Sequence, residues 1–203
     1  MKIKIDTFEI SQKSNVFIIA ELSANHNQNI EIAIETIRAA KRSGADAIKL
    51  QTYTPDTLTI DSDKSDFIIK GTIWNGKNYY SLYKEAFTPW EWHEKLFQVA
   101  KEEGLICFSS PFDKTAVDFL EKLNVPAYKI ASFEITDIPL IEYVASKQKP
   151  MFLSTGMANI DEVSEAVNCI KKKGNHKILL FHCISNYPAE LSDSQLGDIN
   201  FLK

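Results

Sequence analysis

The stretch from Ala127 to Glu134 places a lysine, a serine and a glutamate within six positions, directly after apolar residues. This order is typical of the C-terminal end of a buried β-strand. Burying a charged residue without a partner is costly in free energy, so Lys129 and Glu134 need a structural or a functional reason. Two interpretations are open at this stage. Either the two form a structural ion pair, or Lys129 binds an anion beside an acid that handles a substrate.

Polar residues also follow five other apolar runs that predict strands. The six predicted strands cover residues 16–21, 45–52, 105–110, 127–132, 151–155 and 178–183. The polar residues near their C-terminal ends are Glu21, Lys49, Gln51, Ser110, Lys129, Ser132, Ser154, His182 and Ser185. The C-terminal ends of parallel strands are where α/β proteins bind their ligands. The pattern therefore predicts a binding site to which every strand contributes.

Segments with helical spacing separate the strands, and they predict helices at 30–43, 90–103, 114–123, 139–146 and 160–173. Asp113 and Asn159 are predicted N-caps, while Gly44, Gly104 and Gly174 are predicted helix ends. Alternating strands and helices indicate a parallel sheet, either an open doubly wound sheet or a (β/α)8 TIM-type barrel. Contributions from every strand, and the absence of a GxGxxG or Walker motif, favour the barrel. Since such a barrel has about 250 residues, the chain would hold about six βα units of an incomplete one.

A long polar and aromatic insertion, residues 53–89, interrupts this alternation after the second strand. Insertions of this length inside a compact domain are usually functional. It contains Trp74, Tyr79, Tyr80 and Tyr83, which suit a lid or a subunit contact.

The composition is that of a globular protein, with 203 residues, 44% hydrophobic and 25% charged. A net charge of −4 argues against nucleic acid or an anionic membrane as the main partner. Cys107, Cys169 and Cys183 show no paired spacing, so we interpret them as reduced core thiols of a cytoplasmic protein. The first ten residues are too polar for a signal peptide, and no apolar run approaches the length of a membrane span.

Six long motifs occur in one order along the chain: IIAELSANH, SGADAIKLQT, CFSSPFD, PAYKIASFE, LSTGMA and HCISNYP. In these motifs the chain resembles the sialic acid synthase family, whose members condense phosphoenolpyruvate with an amino sugar to give nine-carbon acids. Residues 65–92 most resemble the pseudaminic acid synthases of that family. Their acceptor is a 2,4-diacetamido-2,4,6-trideoxy-altrose.

The resemblance implies a (β/α)8 barrel followed by a small antifreeze-like domain. Residues 1–203 would then be the N-terminal part of the barrel, with the insertion at 53–89 and without the second domain. The resemblance also implies a homodimer at full length and a divalent cofactor, Mn²⁺ or a similar ion. The family's two metal histidines are expected beyond residue 203. His26, His93, His176 and His182 do not replace them, so no metal ligand is expected in this chain.

The resemblance also assigns roles to individual residues. The positions that match phosphoenolpyruvate-binding residues are Lys49, Ser110, Lys129, Ser132 and Ser154. Glu21 and Glu134 match acids near the reacting carbons, so the catalytic set would be Glu21, Lys49, Lys129 and Glu134. Gln51, Phe112 and Tyr187 match residues that line the substrate pocket, although both aromatic residues equally fit a core.

Two positions depart from the family pattern. Gln28 stands where the family usually has glycine in an NHxG turn. Ser185 stands where sialic acid synthases proper have asparagine, which fits a different sugar substituent.

The leading hypothesis is therefore a phosphoenolpyruvate-dependent transferase of the pseudaminic acid synthase type, whole or truncated. An N-acetylneuraminate or legionaminate synthase is the alternative within the family. A non-catalytic barrel remnant that binds anions or a partner is the alternative from another class. With the metal histidines outside it, this chain alone is expected to bind phosphate without catalysing the condensation.

Overall fold

A computed structural model describes residues 2–186 and 189–202. The chain divides into two compact units. Residues 15–125 form the first, which we call the 15–125 unit. The two ends of the chain form the second, which we call the terminal unit.

An antiparallel hairpin, β1 (Lys2–Ile5) with β2 (Phe8–Ser11), opens the terminal unit. Ile3 and Ile5 are buried while Lys2 and Lys4, which alternate with them, are exposed, as the two-residue period of a strand requires. Asp6 turns the chain with a φ of 49°. This hairpin was not predicted, although the Lys-Ile-Lys-Ile alternation before Asp6 is a recognisable signal for it.

The 15–125 unit contains three parallel strands: β3 (Ile19–Glu21), β4 (Ala47–Thr52) and β5 (Ile106–Pro111). Its helices are α1 (Ile30–Arg42), α2 (Pro55–Leu58), α3 (Tyr79–Ala86), α4 (Trp90–Glu102) and α5 (Lys114–Lys122). A core cluster joins α1 and α4 to the strands, through buried residues such as Ile37, Leu50 and Leu96. The strands β4 and β5 are buried along almost their whole length, as strands of parallel sheets usually are.

The insertion at 53–89 is more ordered than the sequence predicted. It holds α2, a 3₁₀ turn at Ser65–Phe67, and α3, whose N-cap Asn78 accepts from the N–H groups of Tyr80 and Ser81. A backbone bridge between Ile68 and Asn78 closes the segment before α3. The sequence signal was weak because α3 buries no residue fully, so its apolar periodicity is incomplete.

The terminal unit contains three more parallel strands: β6 (Tyr128–Ile130), β7 (Met151–Ser154) and β8 (Ile178–Phe181). The helices α6 (Ile138–Ser146) and α7 (Ile160–Lys172) follow β6 and β7. A 3₁₀ turn at Ser132–Glu134 comes directly after β6, and two more lie at Leu191–Ser194 and Leu196–Asn200. Within the described residues, no helix is long and apolar enough to cross a bilayer.

The six predicted strands and five predicted helices are all present, and the predicted caps Asp113 and Asn159 are confirmed. Strand ends differ by up to three residues. The first strand begins at Ile19 rather than Val16, and the sixth ends at Phe181 rather than Cys183. Val16 is exposed, so apolar character alone overstated the length of the strand.

The N-terminus of α7 depends on a capping box. Asn159 accepts from the N–H groups of Asp161 and Glu162, and Glu162 accepts from the N–H group of Asn159. We expect Asn159→Ala to lower the free energy of unfolding by about 1 kcal/mol, because two N–H groups lose their partner. Urea denaturation measures this. Asn168→Ala, on the exposed face of the same helix, is the control and should cause no loss; equal losses would contradict the capping role.

Candidate active site

One face of β3, β4 and β5 collects a lysine, a carboxylate and a hydroxyl. Glu21 lies opposite Lys49, and Gln51 lies opposite Ser110, so the parallel register places these four on the same face. The Lys49 ammonium is 2.7 Å from the Glu21 carboxylate and 3.5 Å from the Ser110 hydroxyl. The Lys49 side chain is only 7% exposed, whereas that of Glu21 is 51% exposed. A buried cation is thus held at the strand ends, with its charge balanced by an acid that reaches solvent.

The opposite face of β4 and β5 carries a buried polar network. His93 of α4 contacts the Pro89 carbonyl through Nδ1 and the Thr52 hydroxyl through Nε2, and Thr52 also contacts Ser109. Because the carbonyl accepts only, Nδ1 carries the proton and Nε2 accepts from Thr52. Burial lowers the pKa of His93 to about 4, so this ring is neutral. The network fixes the ends of β4 and β5 from the face opposite Lys49. No residue spacing in the sequence predicted it.

Aromatic side chains border the same strand ends. Tyr53, the residue after β4, packs edge-on against Phe112, with ring centroids 5.3 Å apart. Tyr83 of α3 packs edge-on against Tyr53 at 6.0 Å, and Tyr79 stacks on Tyr83 at 6.1 Å. Tyr53 is buried and Phe112 is half-buried, so the burial of Phe112 fits both a core residue and a residue that lines a pocket. Tyr53, which was not among the predicted site residues, links α3 of the insertion to the ends of β4 and β5.

In the terminal unit, a second buried lysine lies at the end of β6. The Lys129 ammonium donates to the Ser154 hydroxyl and, at 3.0 Å, to the Ile130 carbonyl. It lies 5.7 Å from the centroid of the Phe181 ring, which stacks on Phe152. Lys129 is 6% exposed. Its surroundings thus repeat the pattern at Lys49, a buried ammonium beside a serine hydroxyl.

Cys183 contacts the same serine, with its thiol 3.1 Å from the Ser154 oxygen. It is half-buried beyond the end of β8, so its interpretation as a core thiol was wrong. Cys107 and Cys169 are buried free thiols, as predicted. The residue that β8 was expected to include therefore lies beside the polar residues at the end of β7.

Gly156 allows the chain after β7 to approach residues 183–185 closely. A Cβ atom at Gly156 would lie 2.5 Å from the Ser185 hydroxyl and 2.8 Å from the Cys183 carbonyl. Ser185 and His182 line a cavity of about 600 Å³ between this segment and the start of α7. Ser185 therefore faces a space large enough for a small polar ligand.

Glu134 is an acid with an incomplete set of partners. Within the described residues its Oε2 atom is buried and has no hydrogen-bond partner. Burial raises the pKa of Glu134 to about 7; its own N–H group and Lys129 oppose this, and Asp137 adds to it. A structural ion pair with Lys129 would favour a charged Glu134 with both oxygens satisfied, whereas burial favours the protonated form here and Oε2 has no partner.

The remaining predicted residues are less defined. Ser132 is half-buried at the start of the 3₁₀ turn after β6, and Gln51 is half-buried near the end of β4. Tyr187 lies outside the described residues. His182 donates from Nε2 to the Ser194 carbonyl, which supports its structural interpretation. In the part of the chain that the structure describes, no three His, Cys, Asp or Glu side chains converge on a possible metal site.

Comparison with known proteins places the chain in a family. The NeuB family matches residues 36–203. The pseudaminic acid synthase of Campylobacter jejuni is 48% identical over 98% of this chain and 58% of its own length. That of Helicobacter pylori is 50% identical over 88% of this chain and 53% of its own. The chain thus spans a little over half the length of these curated relatives.

A solved structure extends the comparison to three dimensions. The N-acetylneuraminic acid synthetase of Leptospira borgpetersenii, crystallised with citrate, is 29% identical and superposes with a TM-score of 0.87. It covers all of this chain, which covers 66% of it. This likeness confirms the predicted fold class, an incomplete TIM-type barrel of about six βα units. With its six motifs, its fold and the match over residues 36–203, the chain belongs to the NeuB family.

Proposed function

We propose that this chain functions in a pseudaminic acid synthase, an enzyme that condenses phosphoenolpyruvate with 2,4-diacetamido-2,4,6-trideoxy-altrose. The single observation that carries this proposal is the repeated buried lysine and serine at strand ends, Lys49 with Ser110 and Lys129 with Ser154. Few ligands other than a multiply charged anion justify burying two ammonium groups. Phosphoenolpyruvate carries a phosphate and a carboxylate.

These residues have defined roles in the proposed reaction. Carbon 3 of phosphoenolpyruvate bonds to the aldehyde carbon of the open-chain sugar, and the aldehyde oxygen gains a proton. Water adds to carbon 2 and loses a proton. The carbon–oxygen bond to phosphate then breaks, the new hydroxyl becomes the keto group, and its proton leaves with the phosphate. Lys49 and Lys129 bind and orient the anion, while Ser110, Ser132 and Ser154 donate hydrogen bonds to its oxygens.

The two acids have different roles in the proposed reaction. With a pKa of about 7, Glu134 exists in both protonation states near neutral pH, which suits a group that takes a proton from water and returns it. Glu21 balances the charge of Lys49 and reaches solvent. We assign Glu21 to orienting the reacting groups, and Gln51, Phe112, Ser185 and Tyr187 to the sugar.

A divalent metal, Mn²⁺ or a similar ion, belongs to the proposal as a Lewis acid for the aldehyde oxygen. The described residues do not fit such an ion, because no three His, Cys, Asp or Glu side chains converge among them. The roles assigned to the side chains therefore involve no metal. A cytoplasmic location and a homodimer remain part of the proposal; the free thiols of Cys107, Cys169 and Cys183 support the first.

The choice of pseudaminate over N-acetylneuraminate or legionaminate rests on the relatives with that name, which are 48% and 50% identical. We expect the native protein to release phosphate with the diacetamido altrose roughly tenfold faster, or more, than with N-acetylmannosamine. A coupled phosphate assay with each sugar measures this. Faster turnover of N-acetylmannosamine would contradict the assignment of the diacetamido altrose as the acceptor. If no amino sugar led to release of phosphate, a non-catalytic anion-binding role would be favoured.

The anion site gives a second prediction. Lys129→Met should weaken phosphoenolpyruvate binding roughly ten- to a hundredfold, because a charge-assisted interaction is lost. Stability without ligand should change little, since methionine removes a desolvation cost and Glu134 is free to become neutral. Calorimetry and a thermal melt measure the two effects. Lys172→Met, an exposed lysine on α7, is the control; a large loss of stability with unchanged affinity would make Lys129 a structural residue.

The buried carboxyl gives a pH prediction. The pKa of Glu134 is raised from its ordinary value of 4.5 to about 7 in the folded protein. The folded state therefore holds more protons than the unfolded chain between these values, and stability falls as the pH rises through this window. Because the side chain is partly exposed, we expect a loss of about 1–2 kcal/mol between pH 5 and pH 8.

Glu134→Gln should remove this part of the pH dependence and stabilise the protein above pH 7, whereas Glu142→Gln at an exposed glutamate should not. Urea denaturation at four pH values compares the three proteins. Parallel curves for the wild type and Glu134→Gln would show that Glu134 titrates with an ordinary pKa.

A further inference from the structure

Gln28 occupies a backbone conformation that favours glycine, yet its side chain makes two specific contacts. Its φ is 52°, in the left-handed region, next to Asn27 with a φ of 49°. A glutamine there is strained relative to the glycine that the sequence pattern leads one to expect. The side-chain amide donates to the carbonyls of Glu85 at 3.0 Å and Phe87 at 2.6 Å. Both amide hydrogens therefore have acceptors.

Those two carbonyls belong to the C-terminal end of α3. The helix ends at Ala86, so the carbonyls of its last turn lack partners within the helix. Helices often satisfy these groups with a glycine-containing turn. In this chain a side chain from the loop after β3, 57 residues away along the sequence, donates to the Glu85 carbonyl instead. Gln28 thus acts as a C-terminal cap supplied by a distant segment.

His26 joins the same two segments from inside the protein. It is fully buried, and its Nδ1 accepts from the Gln28 N–H group at 3.1 Å. Because Nδ1 accepts, Nε2 carries the proton and donates to the Thr88 hydroxyl at 3.3 Å. The indole of Trp92 packs against the His26 ring at 5.5 Å. The loop after β3 is therefore joined to residues 85–88 by two side chains.

The other end of the insertion is fixed separately. Trp90 donates its indole N–H to the Tyr53 carbonyl at 3.0 Å, and Tyr53 packs against Tyr83 of α3 and against Phe112. The helix α3 is therefore held beside the C-terminal ends of β4 and β5 by aromatic contacts on one side and by Gln28 at its end. Gln51 and Phe112, which we assign to the sugar, lie at these strand ends.

We propose that Gln28 is a positioning residue that holds α3 of the insertion in place and thereby sets the affinity for the acceptor sugar, but not for phosphoenolpyruvate. The identity of the substrates rests on the proposed function; the contacts of Gln28 do not. Gln28 contacts the end of α3, whereas Lys49 contacts Glu21 of β3 and Ser110 of β5.

The terminal unit offers a closely matched control. Gln148 also has a left-handed backbone, with a φ of 58°, and its amide also donates to two carbonyls, those of Ala145 and Lys173. It precedes β7, away from the C-terminal end of that strand. Gln→Glu at either position keeps the size of the side chain, keeps the backbone strain and removes both donors.

Hydrogen exchange of the whole chain tests the contact. In Gln28→Glu we expect the amides of α3 to exchange roughly tenfold faster, while those of α1 keep their protection. Gln28→Gly should give the same loss although glycine relieves the strain, and Gln148→Glu should leave α3 unchanged. Wild-type protection of α3 in Gln28→Glu or in Gln28→Gly would overturn the capping role.

Calorimetry tests the consequence for the substrates. In Gln28→Glu, saturated with phosphoenolpyruvate, the affinity for the diacetamido altrose should fall roughly five- to tenfold, while the affinity for phosphoenolpyruvate itself stays within about twofold. Equal losses for both ligands, or no loss for the sugar, would overturn the role in acceptor binding. If the wild-type protein binds no amino sugar, the proposed function fails, and the exchange experiment still decides whether Gln28 caps α3.

Discussion

The cost of burying an ammonium group governs this structure. Lys49 and Lys129 are each 6% exposed, and each lies inside a strand whose residues are nearly all buried. An ammonium in that position requires oxygen atoms around it. Glu21 and Ser110 supply them for Lys49, and Ser154 and the Ile130 carbonyl supply them for Lys129. The polar residues at the strand ends are therefore needed by the lysines even before any ligand is considered.

The two-residue period of a strand makes this arrangement possible, because it gives β4 and β5 two faces with different polar contents. Lys49, Gln51 and Ser110 point to one face, while Thr52 and Ser109 point to the other and contact each other, and Thr52 also contacts His93. Burial keeps His93 neutral, with a pKa of about 4, so this second network adds no charge behind the lysine. The strand ends are thereby fixed without weakening the positive charge that faces the site.

Residues on the strands could be predicted from the sequence, because an apolar run fixes both the element and the direction of its polar end. Lys49, Ser110, Lys129 and Ser154 are examples. Cys183, Gln28 and Tyr53 could not be predicted in this way. Cys183 lies beyond a strand that ended two residues early, and Gln28 acts through a contact with residues 85 and 87. The period of a sequence carries no information about contacts between distant loops, so such residues appear only in the folded structure.

The two acids differ in a way that explains how an anion enters. Glu21 pairs with Lys49 and is half exposed, so it can move into water when an anion replaces it beside the ammonium, at little cost in solvation. Glu134 is largely buried and has an unpartnered oxygen, so burial raises its pKa to about 7 and keeps part of it neutral. A neutral Glu134 does not repel an arriving phosphate, whereas a fully charged one would. Under the proposed function, the exposed acid is therefore able to shift from Lys49 toward the reacting groups when the anion binds, and the buried acid is the one suited to move a proton.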